Sequence, residues 1–355
     1  MKRVILTICI LCVGAIVASG LYQTAATELA KFQVPQPPQA VECKGAGQRV
    51  IKLTKAYCTQ YQLVLDSLRV APAPAISPAP NHIIEANIPH VPHNQTFGVT
   101  LLGTSHGRIF SRNTNHQMVS AILDRTMINL SQGGDRAGLM NQQTYLRYFY
   151  ARGNTTPVVV YFLDPYVFFN AGMDHNLKLY DGEPFDLGFY EVLLQHPPTN
   201  EEILARYGNR RLLAPTLTPS QSYISQNTKQ VRTPIDESVM QKRIDSLYTT
   251  AYDEAEFEAS IQTFLATVEL IKSNKGQLIV MVPSTLFPAQ KRDAYVIDAM
   301  EQLSVEHGFQ FYNYAHAITD AKLYSDTDHL NEQGIQTFAS TYILPALNGQ
   351  TSFTH

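Results

Sequence analysis

The sequence predicts an α/β fold, a doubly wound and mainly parallel sheet flanked by helices over residues 96–350, behind an N-terminal membrane segment. Three patterns lead there. Val158-Val159-Val160-Tyr161-Phe162 and Leu278 to Val282 are apolar at every position, which suits strands buried on both faces of a parallel sheet. Around them, helical periodicities alternate with strand patterns, the arrangement of crossover units rather than hairpins. Finally, Lys2 and Arg3 precede an apolar stretch from Val4 through Tyr22, with no charged residue until Glu28.

That stretch approaches the roughly 20 residues needed to span a bilayer. Its basic start, with no basic residue just beyond, places the N-terminus in the cytoplasm and the rest outside. Ala18-Ser19-Gly20 resembles a small-residue cleavage site, so residues 1–22 read as a signal peptide or, the favoured reading, a signal anchor. Export to a periplasmic or extracellular location follows either way. Residues 23–95 then read as a stalk: Pro35, Pro37 and Pro38 and the Ala-Pro run of 71–80 resist regular structure, with a small helical element between Gln48 and Val70. Cys43 and Cys58 are the only cysteines beyond the apolar segment, and in an oxidising compartment a disulfide is expected between them. His82, His90 and His93 lie in the proline-rich stretch without metal-ligand spacing, so neither a metal nor a cofactor is expected.

Within the domain, Phe97 to Leu102 is the first predicted strand, Met118 to Leu123 falls in an amphipathic helix, and Thr126 to Leu130 is the second strand. Leu139 to Tyr150 is a helix and Pro157 to Phe162 the third strand. An insertion over about 170–252 is longer than a connection needs. It holds Tyr180-Asp181-Gly182-Glu183, a polar helix near Asn200 to Tyr207, and Arg210-Arg211. It reads either as a lid or substrate wall whose tyrosines suit a carbohydrate, or as a plain surface excursion. The alternation resumes with a helix over Glu254 to Ser273, the strand to Val282, a helix over Asp293 to His307, a strand over Phe309 to Tyr314 and a closing helix over Asn331 to Leu347.

Sheets of this kind bind ligands at the C-terminal ends of their strands, and there the chemistry-bearing residues fall. Gly103-Thr104-Ser105-His106 follows the first strand, and Asp326-Thr327-Asp328-His329 precedes the last helix. A serine hydroxyl becomes a useful nucleophile when a base takes its proton and a carboxylate orients that base. Ser105, His329 and Asp326 supply the three roles, while Asp328 is expected as a solvated turn residue. His106 and Asp164, each just past a strand end, are candidate substrate contacts. Taken singly, Asp326 could cap a helix and Gly133-Gly134 could serve a turn needing positive φ; it is their order at successive strand ends that joins them.

These blocks resemble those of the SGNH or GDSL-like hydrolases. Gly103-Thr104-Ser105 is similar to the family's first block, Asn129 through Asp135 to its second strand end and glycine loop, and Asp326-x-x-His329, continuing Leu330-Asn331-x-x-Gly334, to its last. The resemblance implies a flavodoxin-like three-layer sandwich, a catalytic triad of Ser105, His329 and Asp326, and an oxyanion hole from the backbone N–H groups of Ser105 and Gly134, with Gly133 as the alternative. The third block departs: Leu163-Asp164-Pro165-Tyr166 stands where a Gly-x-Asn-Asp segment is expected, and Asn170 lies too far along to replace the asparagine.

That departure, together with the anchor, is similar in character to the membrane-anchored extracytoplasmic members, such as the teichoic acid D-alanyl transfer protein and the alginate and peptidoglycan O-acetyltransferases. It implies acyl transfer on ester groups of a cell-surface glycan or polymer, with a membrane-embedded acyl donor protein as a candidate partner. A secreted or anchored esterase or lipase on small esters would use the same residues, and a non-catalytic glycan-binding pseudo-hydrolase would keep only the cleft. A net charge of −3 provides no basic field for nucleic acid.

Overall fold

The structure, a computed structural model, describes residues 40–350 apart from 46–49, 71–90, 113, 171, 181–182, 199, 214–230 and 232–234. Residues 1–22, His82, His90, Asp181 and Gly182 therefore lie outside it, and no described helix is long and apolar enough to cross a membrane. The chain divides into two compact units between Tyr61 and Gln62.

In the first unit β1 (Ala40–Lys44) pairs antiparallel with β2 (Val50–Thr54), and a helix over Lys55–Val70 follows directly. Within the stretch expected as a stalk, residues read as irregular chain or as part of the helical element form a hairpin instead. Val41 and Cys43 alternate with Glu42 and Lys44, a period-2 pattern too short to stand out beside the longer helical one. The expected Cys43–Cys58 disulfide is present, tying β1 to the first helical turn.

The second unit carries the α/β sheet. Strands β3 (Val99–Gly103), β4 (Met127–Asn129), β5 (Val158–Phe162), β6 (Gln277–Val282) and β7 (Gln310–Asn313) lie in the order β4-β3-β5-β6-β7, every neighbouring pair parallel. Alternation along each strand sorts the side chains between two layers. Val99, Leu101, Val160, Phe162, Ile279 and Met281 join a core shared with the helix Asn115–Leu123 and the C-terminal helix that starts at Glu332. Leu102, Val159, Tyr161 and Val280 are equally buried on the opposite face, where the helices Leu139–Ala151 and Glu254–Ser273 pack and the Tyr161 and Phe264 rings lie 5.9 Å apart. Cover on both faces is why these strands are apolar at every position.

The domain begins earlier than residue 96. Val91 is fully buried, Asn94 N–H donates to the Arg152 carbonyl at 3.0 Å, and Gln95 N–H donates to Asn154 Oδ1 at 2.9 Å. Within the insertion, Tyr180, Tyr190 and Tyr207 are buried with Phe189 in an aromatic cluster against Tyr145 and Tyr148 of the helix Leu139–Ala151. These three of the tyrosines expected to suit a carbohydrate are core residues instead, whereas Tyr252 is exposed. The strand order reverses direction between β3 and β5, which opens a crevice past the C-terminal ends of those two strands.

Candidate active site

Ser105 reaches that crevice through a turn that only glycine permits. Gly103 adopts φ +143°, and a Cβ at this position would fall 2.4 Å from the Phe162 carbonyl oxygen of β5. Thr104 caps the short helix Ser105–Arg108: its Oγ1 accepts from His106 N–H at 3.3 Å, and its carbonyl accepts from Gly107 and Arg108. Gly107 lets the turn settle on the next strand end, since a Cβ there would meet Ser131 Oγ at 2.4 Å. Asn129 fixes the same junction, donating from Nδ2 to the Gly107 carbonyl at 2.8 Å and accepting from Ser131 N–H at 3.0 Å.

The last block forms a closed loop. Tyr324 and Leu330 bridge its base, and Ser325 N–H donates to the His329 carbonyl at 2.8 Å. Asn331 seats it, accepting from Gly334 N–H at 3.0 Å as a helix cap and donating to the Lys322 carbonyl at 2.7 Å. Gly334 is required because a Cβ would lie 2.1 Å from the Leu323 carbonyl oxygen. Inside the loop, Asp326 Oδ1 accepts from the N–H groups of Asp328 and His329 at 3.0 and 2.6 Å. Its Oδ2 lies 2.9 Å from His329 Nδ1, and His329 Nε2 lies 2.8 Å from Ser105 Oγ. Asp326, His329 and Ser105 thus stand in one unbroken hydrogen-bonded line. Burial alone would push the Asp326 carboxyl up, but the hydrogen bond to His329, its charge and the two amides hold the group well below the usual carboxylate range.

The glycine loop abuts this line. Gly133 is extended, and a Cβ on it would sit 3.6 Å from Ser105 Cβ; Gly134 takes φ +61° with open space where its Cβ would be. Of the two, Gly133 is the residue placed against the serine. Gln132 N–H donates to the Gly103 carbonyl at 2.9 Å, which locks the loop to the turn that carries Ser105. Ser105 opens its helical turn, so its amide is one of those lacking an intrahelical acceptor.

Behind His329 lie the two candidate substrate contacts and Asp328, and the expectation for Asp328 is corrected. Asp164 is buried and bonded to Thr104 Oγ1 and, at 2.7 Å, to His106 Nδ1. His106 is buried too, its ring stacked on that of His329 with centroids 4.8 Å apart. Asp328 is no solvated turn residue: only 2 % exposed, it takes Nε and Nη2 of Arg243 on Oδ2 at 2.9 and 2.8 Å. Burial pushes His106 down, but the charge and hydrogen bond of Asp164, followed by the charge of Asp328, raise it to about 9 against a smaller opposing effect of Arg243. Arg243 comes from the helix Glu237–Leu247 of the insertion, 85 residues from its partner, and nothing in the local sequence announces it. Asn170 is engaged elsewhere, donating to the Leu247 carbonyl at 3.0 Å.

Potential ligand atoms of His106, Asp328 and His329 fall within 4.8 Å of one another. Each residue already has a charged or hydrogen-bonding partner, Asp164 for His106, Arg243 for Asp328, and Ser105 with Asp326 for His329, so the set reads as a charge network rather than a cation seat. The chain matches no protein-family model and no curated protein.

Proposed function

We propose that this protein is an SGNH-type serine esterase or O-acyltransferase acting outside the cytoplasm on ester groups of a cell-surface glycan or polymer. The observation that carries the reading is the line from Asp326 Oδ2 through His329 to Ser105 Oγ, with steps of 2.9 and 2.8 Å. His329 takes the Ser105 proton as Oγ attacks the ester carbonyl carbon, and the Gly133-Gly134 loop and the Ser105 amide face the developing oxyanion. The bond to the leaving alcohol then breaks, with the proton passing from His329 to its oxygen. A water or a sugar hydroxyl gives its proton to His329, attacks the acyl-serine and restores Ser105 with the acyl group on the acceptor. Asp326 keeps its charge throughout, fixing the tautomer and stabilising the imidazolium.

The order β4-β3-β5-β6-β7, which counts 2-1-3-4-5 within the domain, is the flavodoxin-like order that the family resemblance implies. The Cys43–Cys58 disulfide fits an oxidising compartment, and Lys2, Arg3 and the apolar residues 4–22 supply the export signal and anchor. An anchored enzyme on a stalk suits a polymer of the same envelope, delivered acyl groups by a membrane-embedded donor. The test compares envelope glycans from cells carrying the wild type, Ser105→Ala or no copy. Ester content should differ between wild type and the other two. Identical content in all three sinks the surface-polymer reading, and full-length chain that washes freely from membranes sinks the anchor.

A further inference from the structure

Acyl transfer by Ser105, His329 and Asp326 leaves four charged side chains unused. Asp164, His106, Asp328 and Arg243 form a second line behind the base: Asp164 Oδ1 to His106 Nδ1 at 2.7 Å, His106 Nε2 to Asp328 Oδ2 at 3.9 Å, and Asp328 Oδ2 to Arg243 Nη2 at 2.8 Å. The first three are at most 3 % exposed. Burying ions costs several kcal/mol each unless geometry and hydrogen bonds offset it, and apolar residues of similar volume often serve stability as well. A buried ionic line touching a reactive base therefore calls for a role other than stability.

Geometry supplies one. The His106 and His329 rings lie 29° from parallel with centroids 4.8 Å apart, so His106 backs one face of the base. His106 is itself pinned, by Asp164 on Nδ1 and by Thr104, whose Oγ1 accepts from the His106 amide and also donates to Asp164. Asp328 Oδ1 stands 3.6 Å from His329 Nδ1, so the same line meets the base at a second point.

We propose that His106 is a positioning residue for His329: a buried imidazolium, bonded to Asp164 through Nδ1 and with the Asp328 carboxylate 3.9 Å from Nε2, that fixes the plane of the base and offsets the negative charge around it. This rests on the acyl-transfer reading above. Three carboxylates, Asp164, Asp326 and Asp328, then face two cations, His106 and Arg243, leaving a single negative charge to match the proton that His329 takes up. Were His106 neutral, two negative charges would hold that proton and slow its return to the leaving group. The other ionisable groups around His106 are Tyr166, in the turn after β5, and Tyr248, Asp293 and His316, which share with it a small cavity at the ends of β5, β6 and β7. Tyr248 donates its hydroxyl proton to Asp293, and burial pushes that carboxyl upward.

The test is the pH profile of p-nitrophenyl acetate hydrolysis by the full chain as wild type, His106→Gln and Ser105→Ala, with phosphonate labelling of Ser105 alongside. Gln retains a donor for Asp164 but has neither the charge nor the ring. In H106Q, kcat should fall about tenfold to a hundredfold with little change in KM. The acidic limb of kcat/KM should rise by about one pH unit while Ser105 still takes the label. H106Q with the wild-type kcat and acidic limb would overturn the positioning role and leave the triad standing. Wild type that neither hydrolyses the ester nor takes the label overturns both. Because H106Q leaves a buried Asp164 without its cation, the charge is also read in wild-type protein from the ¹⁵N shifts of the ring nitrogens near neutral pH. Both nitrogens of His106 should be protonated; a neutral ring there overturns the proposal without any variant.

Discussion

Asp326 and His106 show how one loop and one turn assign different work to similar groups. Asp326 is half-exposed, bonded to Nδ1 of His329 and to two amides, and has the geometry of an orienter for the proposed base. Asp326→Asn should leave the loop's backbone hydrogen bonds in place but present the wrong partner to Nδ1, lowering kcat by about 10³- to 10⁴-fold in ester hydrolysis. A loss under tenfold would mean that Asp328, 3.6 Å from the same nitrogen, is the working orienter. His106 gives a prediction on stability. Its folded value lies near 9, above the ordinary 6.5, so its contribution is fully present below about pH 6.5 and is lost as pH rises through about 9. The difference amounts to on the order of 3 kcal/mol. Urea unfolding should show wild type losing stability across that window and H106Q showing a flatter profile. Sequence reasoning could not find this network, because the Asp328–Arg243 pair spans 85 residues and Asp164 meets His106 only once β3 and β5 are neighbours.

The elements were more legible than the contacts between them. The runs Val158 to Phe162 and Leu278 to Val282 identified central strands because helices cover both faces, and the helix Glu254–Ser273 was bounded by periodicity, with Asp253 capping it through the Glu256 amide. The hairpin β1-β2 was missed because five-residue strands with charged outward positions carry little pattern. The Gly-x-Ser block was legible as a motif, yet the reason for its glycine needed the neighbouring strand. Gly103→Ala would force both a left-handed-side φ and a contact 2.4 Å from the Phe162 carbonyl oxygen. It should cost about 2 kcal/mol or more and displace Ser105 from His329. Thermal melting and ester hydrolysis together check this, and a variant with wild-type melting and rate would contradict the account of the turn.

At the scale of the whole molecule, the site draws on five separated stretches of the second unit: the turn after β3, the loop after β4, the turn after β5, the helix Glu237–Leu247 and the loop before Glu332. None of its residues comes from the first unit, so the Cys43–Cys58 disulfide should matter for stability alone. Closing a span of 15 residues is worth about 3 kcal/mol by chain entropy; Cys58→Ser should lower the unfolding free energy of the hairpin unit and leave kcat for a small ester unchanged. The central claim, that Ser105 is a nucleophile activated by His329, is tested most directly by treating the folded chain with a fluorophosphonate and locating the adduct by peptide mass spectrometry. The account predicts one adduct on Ser105 in wild type, and labelling slowed by orders of magnitude in His329→Ala. Folded wild-type protein that stays unlabelled, or an adduct that persists in Ser105→Ala, would contradict it.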